Sequence, residues 1–302
     1  MKKLLALLSV VLILTTSMFA VKVGFIATNF SSEAQSRVAN EFAKLCEDKG
    51  WELVQLNSMG SIETQSTQLE NLVMMDVDAI IMAMSHPNEI KSSLEKAFEA
   101  GIPVITIDSG YVEGVVADIT SDNFVMGAKM STYLMDSLGG NGNIVVIKFQ
   151  KHYGTRRRGK VLDVVLSEYP GINVLAEYGV AATQRFMDDT RSAMETFALK
   201  HGDQIDGVWC AFDQLAYAAA DILAEYGYSD VLVVGADGNE ETFRRIENGN
   251  MTATVAQPFE NMAAIAVDIV QKIVSGVDPS VAAGKEIIYA DALLIDKNNL
   301  PE

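Results

Sequence analysis

Gly101 to Asn123, GIPVITIDSGYVEGVVADITSDN, is the stretch from which the rest of the chain can be ordered. It opens on a Gly-Ile-Pro turn and runs as an apolar strand from Pro103 to Ile107, stopping at Asp108-Ser109-Gly110. A second apolar run, Val115 to Ile119, ends at Ser121-Asp122-Asn123, after which helical spacing resumes. Short apolar runs bounded by Gly and Pro read as strands of a parallel sheet buried on both faces. In such sheets, polar residues at the carboxyl end of a strand face the crevice where ligands bind. Asp108 is therefore a candidate ligand-gripping carboxylate; the competing reading is a turn residue bonded to its own backbone.

Outward from this stretch the pattern alternates. Upstream come strand Val23–Ala27, helix Ala34–Lys49, strand Trp51–Leu56, helix Ser61–Met75, strand Ala79–Met84 and helix Glu89–Ala100. Downstream the same rhythm restarts with a helix over Val125–Leu138 and a strand over Ile144–Phe149. It continues through helix Arg157–Tyr169 to the long helix Glu260–Ser275 and a strand-like run Ile287–Ile295. Strict strand–helix alternation predicts parallel sheets flanked by helices, an α/β fold. About 280 residues beyond the N-terminal segment exceed one domain, so two doubly wound halves are expected. No Pro- or Ser-rich linker joins them, which predicts tight hinge crossings.

The first twenty residues carry Lys2 and Lys3, an apolar run from Leu4 to Leu14, and small or polar residues up to Ala20. This is the pattern of a cleaved export signal, too short in its apolar part to span a bilayer. The formal charge is −17, and loss of the two lysines takes it to −19. So acidic a chain is a poor partner for nucleic acid or an anionic membrane. Cys46 and Cys210 lie far apart; an oxidising compartment would permit a disulfide between them, but two buried free thiols are the expected reading.

Two more strands end on aspartate: Val233-Val234-Gly235-Ala236-Asp237 and Val208-Trp209-Cys210-Ala211-Phe212-Asp213. Asp213 reads equally as a helix cap. Gln257 stands between a strand and Pro258, and offers both donor and acceptor to a hydroxyl. The basic cluster Lys151 to Lys160 sits near a helix start, where the macrodipole disfavours positive charge, so at least one arginine should have a partner. Phe30, Tyr111, Tyr153 and Phe212 are the aromatics near the proposed crevice. No dinucleotide fingerprint, phosphate loop, nucleophile elbow or metal-ligand spacing is present, and His86, His152 and His201 are scattered. No catalysis, cofactor or metal is expected.

Together these motifs, with Gly127 after Ser121-Asp122-Asn123, resemble the periplasmic sugar-binding proteins of the ribose-binding type. The resemblance implies two Rossmann-like domains joined by three crossings, closing on one monosaccharide or polyol, and docking on an ABC-type permease. It implies a monomeric, periplasmic protein that is not an enzyme. Carried onto this sequence, it makes Asp108, Arg156, Asp237 and Gln257 polar grips on the sugar, with Arg157 as the alternative to Arg156. Thr28 falls at a first-strand serine position, and Asp213 at an acidic position beside the binding asparagine. That asparagine is Phe212 here, Ser109 replaces an arginine, and Ala34 and Gln35 replace paired aromatics. These departures point to another pentose, a hexose or a polyol, with Phe30 or Phe212 as a wall. An anionic sugar derivative, or a sensory receptor role, is the alternative. The implied division is 21–121 with 257–284 against 122–256 with 285–302.

Overall fold

The computed structural model describes residues 20–181 and 183–301. The export segment expected over 1–20 lies, up to residue 19, outside them. Among the described residues no helix is long and apolar enough to cross a membrane.

The first half lays down β1 (Lys22–Ala27), α1 (Glu33–Asp48), β2 (Glu52–Asn57), α2 (Ile62–Met74), β3 (Ala79–Ala83), α3 (Lys91–Glu99), β4 (Val104–Ile107) and β5 (Ala117–Thr120). The second half continues with α4 (Asn123–Ser137), β6 (Asn141–Phe149), α5 (Tyr153–Glu168), β7 (Gly171–Val180) and α6 (Phe186–His201). It then adds β8 (Gly207–Cys210), α7 (Asp213–Glu225), β9 (Leu232–Asp237), α8 (Glu240–Glu247) and β10 (Ala253–Ala256). The chain closes with α9 (Phe259–Val274), α10 (Pro279–Ala283), β11 (Ile287–Tyr289) and β12 (Leu293–Asp296).

These strands form two six-stranded sheets, ordered β11-β5-β4-β3-β1-β2 and β12-β10-β9-β8-β6-β7. All pairings are parallel except β10 with β12. The two strands of the opening stretch, β4 and β5, pair with each other and are buried throughout. Gly101 ends α3 at φ 73°, so that its amide and that of Ile102 reach back to Phe98 and Ala97. Only a residue free to adopt left-handed φ makes this closure without strain, and it aims β4 into the sheet.

Each sheet has its own core. Val145, Val208 and Val234 pack with Trp209 and Leu215 in the second lobe. In the first lobe Phe25, Phe42 and Phe259 lie on one face of the sheet, and Ile26, Leu69 and Leu94 belong to a separate cluster. Cys46 and Cys210 are buried and free, one in a core of each lobe. The chain passes between sheets after β5, after β10 and after β11. The third crossing differs from the expected 284/285 boundary. The run Ile287–Ile295 breaks at Ala290-Asp291-Ala292; its first part pairs in parallel with β5, Ile287 opposite Asp118, and only the second joins β10. Residues 285–289 thus stay with the first sheet.

Candidate ligand-binding cleft

A cleft of about 620 Å³, its mouth included, lies between the carboxyl ends of the two sheets. The first lobe lines it with Thr28, Asn29, Gln35, Met84 and Asp108, among others. The second contributes Phe149, His152, Arg158, Phe186, Phe212 and Asp237. Three strand-end lining residues carry left-handed backbone: Met84 (φ 47°), Asp108 (φ 45°) and Asp237 (φ 133°). Such strain persists only where the surroundings over-determine it.

The surroundings of Asp108 do so. Its Oδ1 accepts from Thr120 Oγ1 at 2.7 Å and Asn123 Nδ2 at 3.2 Å, and Tyr153 O–H approaches at 3.3 Å. Behind it, the buried Asp118 takes the amides of Ser109 and Gly110 and the hydroxyl of Thr106, fixing the turn that follows β4. Burial raises the Asp118 carboxyl to about 6, against these donors. Asp108 Oδ2 has no partner among the described residues.

Asp237 mirrors this arrangement across the cleft. Its Oδ1 accepts from Gln257 Nε2 at 3.0 Å and lies 3.7 Å from Arg158 Nη1. Burial pushes its carboxyl up to about 7; the Arg158 charge works against that rise, while Asp213 and Asp108 add to it. Again Oδ2 has no partner among the described residues. Arg158 is itself buried, its Nε donating to Asn123 Oδ1 and its Nη1 to the carbonyl of Ala211, each at 2.8 Å. His152 donates its Nε2–H to the carbonyl of Asp108, 2.6 Å away, and burial lowers its ring to about 4.

Of the residues singled out in the sequence, Thr28, Asp108, Phe212 and Asp237 line the cleft. The others are placed elsewhere. Arg156 is exposed and donates to the carbonyl of Gln150, and Arg157 lies over the rings of Tyr153 and Phe124. The arginine in the cleft is Arg158. Helix α5 begins at Tyr153, ahead of the expected Arg157, and Thr155 and Arg158, three apart, share its inward face. Ser109 does not line the cleft; its Oγ is bound to the carbonyls of Met82 and Ile107 and accepts from Ser85. Phe30 packs on the first lobe's core instead of forming a wall.

Asp213 is fully buried beneath the site, accepting from the amides of Gly238 and Asn239 and the hydroxyls of Thr242 and Thr254. It pins the turn that carries Asp237. Gln257 likewise holds Asp237 and does not itself line the cleft. The sequence reading missed Phe149, Phe186, Asn29 and His152 as lining residues. Phe149 and Asn29 lie at strand ends, the same signal that marked the aspartates. Phe186 begins a helix, and no motif marks it.

Among the described residues no group of three His, Cys, Asp or Glu side chains is placed to hold a metal ion. The arrangement offers two half-open carboxylates, one guanidinium and aromatic walls in an enclosed space. That set binds hydroxyl groups and apolar carbon.

Residues 23–278 match the family model for the periplasmic binding protein domain. A xylitol-binding protein of Mycolicibacterium smegmatis is 29% identical over 229 residues, covering 75% of this chain and 65% of that protein, just under two thirds of its length. The ribose import binding protein RbsB of Escherichia coli is 27% identical over 284 residues, covering 91% and 94%. Among solved structures, an ABC transporter solute-binding protein from Agrobacterium vitis with bound allitol has a TM-score of 0.82 at 24% identity, covering 92% of this chain and 96% of that one. An ABC sugar transporter subunit from Rhodobacter sphaeroides has the same TM-score at 22% identity, covering 92% and 98%. These structures share the two-sheet α/β fold derived above. The chain belongs to the periplasmic binding protein family, in which the role of the cleft is to bind a solute and not to transform it.

Proposed function

We propose that this protein is the substrate-binding component of an ABC-type sugar importer, acting as a periplasmic monomer and holding one monosaccharide or polyol between its lobes. The observation that carries this reading is the pair Asp108 and Asp237. Each stands at a strand end of a different sheet, with one carboxylate oxygen tied by protein donors and the other open to the same cleft. A carboxylate so held accepts a neutral hydroxyl in a charge-assisted bond without having to reorganise. The relatives named for ribose and xylitol are consistent with a small polyhydroxylated solute.

An anionic sugar derivative is less well served. Arg156 and Arg157 lie outside the lining, and Arg158 is already engaged by Asn123, Ala211 and Asp237. The hinge of this reading consists of Ser121-Asp122, Gln257-Pro258 and Ala290 to Ala292, where the chain changes sheets. Cleavage of the export signal near Ala20 belongs to the same proposal.

A thermal-shift screen over pentoses, hexoses, polyols and sugar acids tests it, since a ligand of the native state raises the melting temperature by mass action. At least one neutral member should raise it strongly and in proportion to the logarithm of its concentration. Asp237→Ala should then weaken calorimetric affinity for that member by roughly tenfold to a hundredfold, the scale of a hydrogen bond to a charged group. Unchanged affinity in the mutant would remove the carboxylate pair from the argument, and the proposal with it.

A further inference from the structure

The cleft is unevenly furnished, and the asymmetry says which sugars suit it. On the second lobe, Phe149 at the end of β6, Phe186 at the start of α6 and Phe212 after β8 meet in a cluster. Phe212 lies 5.5 Å from Phe149 at an interplanar angle of 88°, and 5.4 Å from Phe186 at 71°. Rings at such angles make a corner, not a flat shelf. A sugar ring stacking by its C–H face wants a shelf; a corner encloses a compact apolar group on several sides.

The three rings themselves carry no hydrogen-bonding group, and several neighbouring polar side chains are already engaged. Thr155, beside it in the lining, spends its hydroxyl on the carbonyls of Phe149 and His152 at 2.6 and 2.9 Å. Thr28 donates to the carbonyl of Met84, and Asn29 is tied to Thr183 and Ser31. Polar atoms left open in the lining belong to side chains such as Asp108, Asp237, Ser32, His152 and Lys151. None is on the three rings. A hydroxyl driven into the corner would lose its water and gain no partner, whereas a methyl group there would gain contact and lose nothing.

Resting on the reading of the cleft as a carbohydrate site, we infer that its solute is a sugar whose terminal carbon carries no hydroxyl: a deoxy sugar, or one capped by a methyl or thioether group. Its hydroxyls meet the two aspartates, and its apolar end fills the phenylalanine corner.

The test is calorimetric titration of the full exported chain with matched pairs that differ in one terminal hydroxyl. L-fucose is compared with L-galactose, L-rhamnose with L-mannose, and terminally deoxygenated ribose with D-ribose. In at least one pair the deoxy member should bind about tenfold tighter or more, the effect of one buried hydroxyl left without a partner. Phe212→Asn, which sets an amide in the corner, should shrink or reverse that ratio. If it does not fold, as judged by loss of a melting transition, Phe212→Leu, which keeps the corner apolar, should retain the preference. Equal or tighter binding of the hydroxylated member in every pair that binds overturns the inference and leaves the sugar-binding reading standing. So does tight binding of a fully hydroxylated polyol when none of the pairs binds. Absence of binding by every sugar and polyol tried overturns both.

Discussion

Asp237 is the residue on which protonation, stability and binding meet. Its carboxyl is lifted from 3.8 to about 7, burial being the main cause, while Arg158 and Gln257 pull it down and Asp213 and Asp108 push it up. A solute hydroxyl donated to its open oxygen favours the ionised form, so binding and protonation compete. Affinity for the solute should therefore fall as pH drops below about 7, and binding near pH 6 should release a proton. Titrations in two buffers of different ionisation heat measure that release, and it should vanish in Asp237→Asn. The unliganded protein carries the opposite dependence. A folded-state value above the unfolded one means that the native chain holds a proton which the unfolded chain gives up between about pH 4 and 7. The stabilisation is complete below that window and is lost as pH rises through it. His152, lowered to about 4 by burial, gains stability over much of the same range, so the two partly cancel in the wild type. The difference in denaturation midpoint between wild type and Asp237→Asn isolates the carboxyl: the wild type should lose ground to the mutant as pH climbs from 4 to 7. A difference that does not change with pH would contradict the burial of this charge.

Helix α5 delivers Arg158 and Thr155 to the cleft, and its seat is the contact with α4. A Cβ on Gly127 would lie 2.8 Å from the Cα of Arg158 and 3.0 Å from its carbonyl oxygen, with backbone that has nowhere to yield. Gly127→Ala should push the two helices apart and carry Arg158 off Asp237. A loss of roughly 1–3 kcal/mol in denaturant unfolding, typical of overpacking, should come with weaker solute binding; wild-type values for both would mean that the helices are not pinned there. This element also marks the limit of what could be read in the chain. Asp108 and Asp237 were legible because apolar runs end on them, and β4, β5, β9 and β10 fall within a few residues of where hydrophobic runs place them. The start of α5 was not. His152 caps it without a side-chain bond, and Tyr153-Gly154-Thr155 has no helix-start signature. Arg156 was carried over by resemblance and not from the phase of the helix, and it is Arg158, two positions on, that lines the cleft. Phe30 and Ser109 were misplaced for a related reason: the sequence puts them next to the crevice, but only packing decides which way a side chain turns. The split of Ile287–Ile295 between two sheets depends on pairing with β5 and β10, which no local pattern encodes.

Closure of the two lobes is held from outside the cleft as well as within it. Arg37, on α1 of the first lobe, is gripped by both oxygens of Glu260 at 2.8 and 2.9 Å. Its Nη1 then reaches the carbonyls of Asp237 and Gly238 at 3.1 and 3.0 Å and Asn239 Oδ1 at 3.2 Å on the second lobe. Gln214 of α7 joins from the other side, accepting from the amide of Glu33 and donating to the carbonyl of Ser31. Arg37 does not line the cleft, so its removal leaves the solute's own contacts in place and acts on the balance between open and closed. Apparent affinity then falls by the fraction of molecules that remain closed. Arg37 is partly solvated, which puts its charged bonds at the weaker end of their range, and a loss of about tenfold in affinity is expected for Arg37→Ala. Small-angle scattering supplies the second reading. The unliganded mutant should show a larger radius of gyration than the unliganded wild type, and saturating solute should bring the two together. A mutant that stays as compact as the wild type while losing affinity would place Arg37 in the site itself. One with neither effect would leave closure to the other bonds between the lobes, among them those of Gln214 and those of Asp108 with His152 and Tyr153.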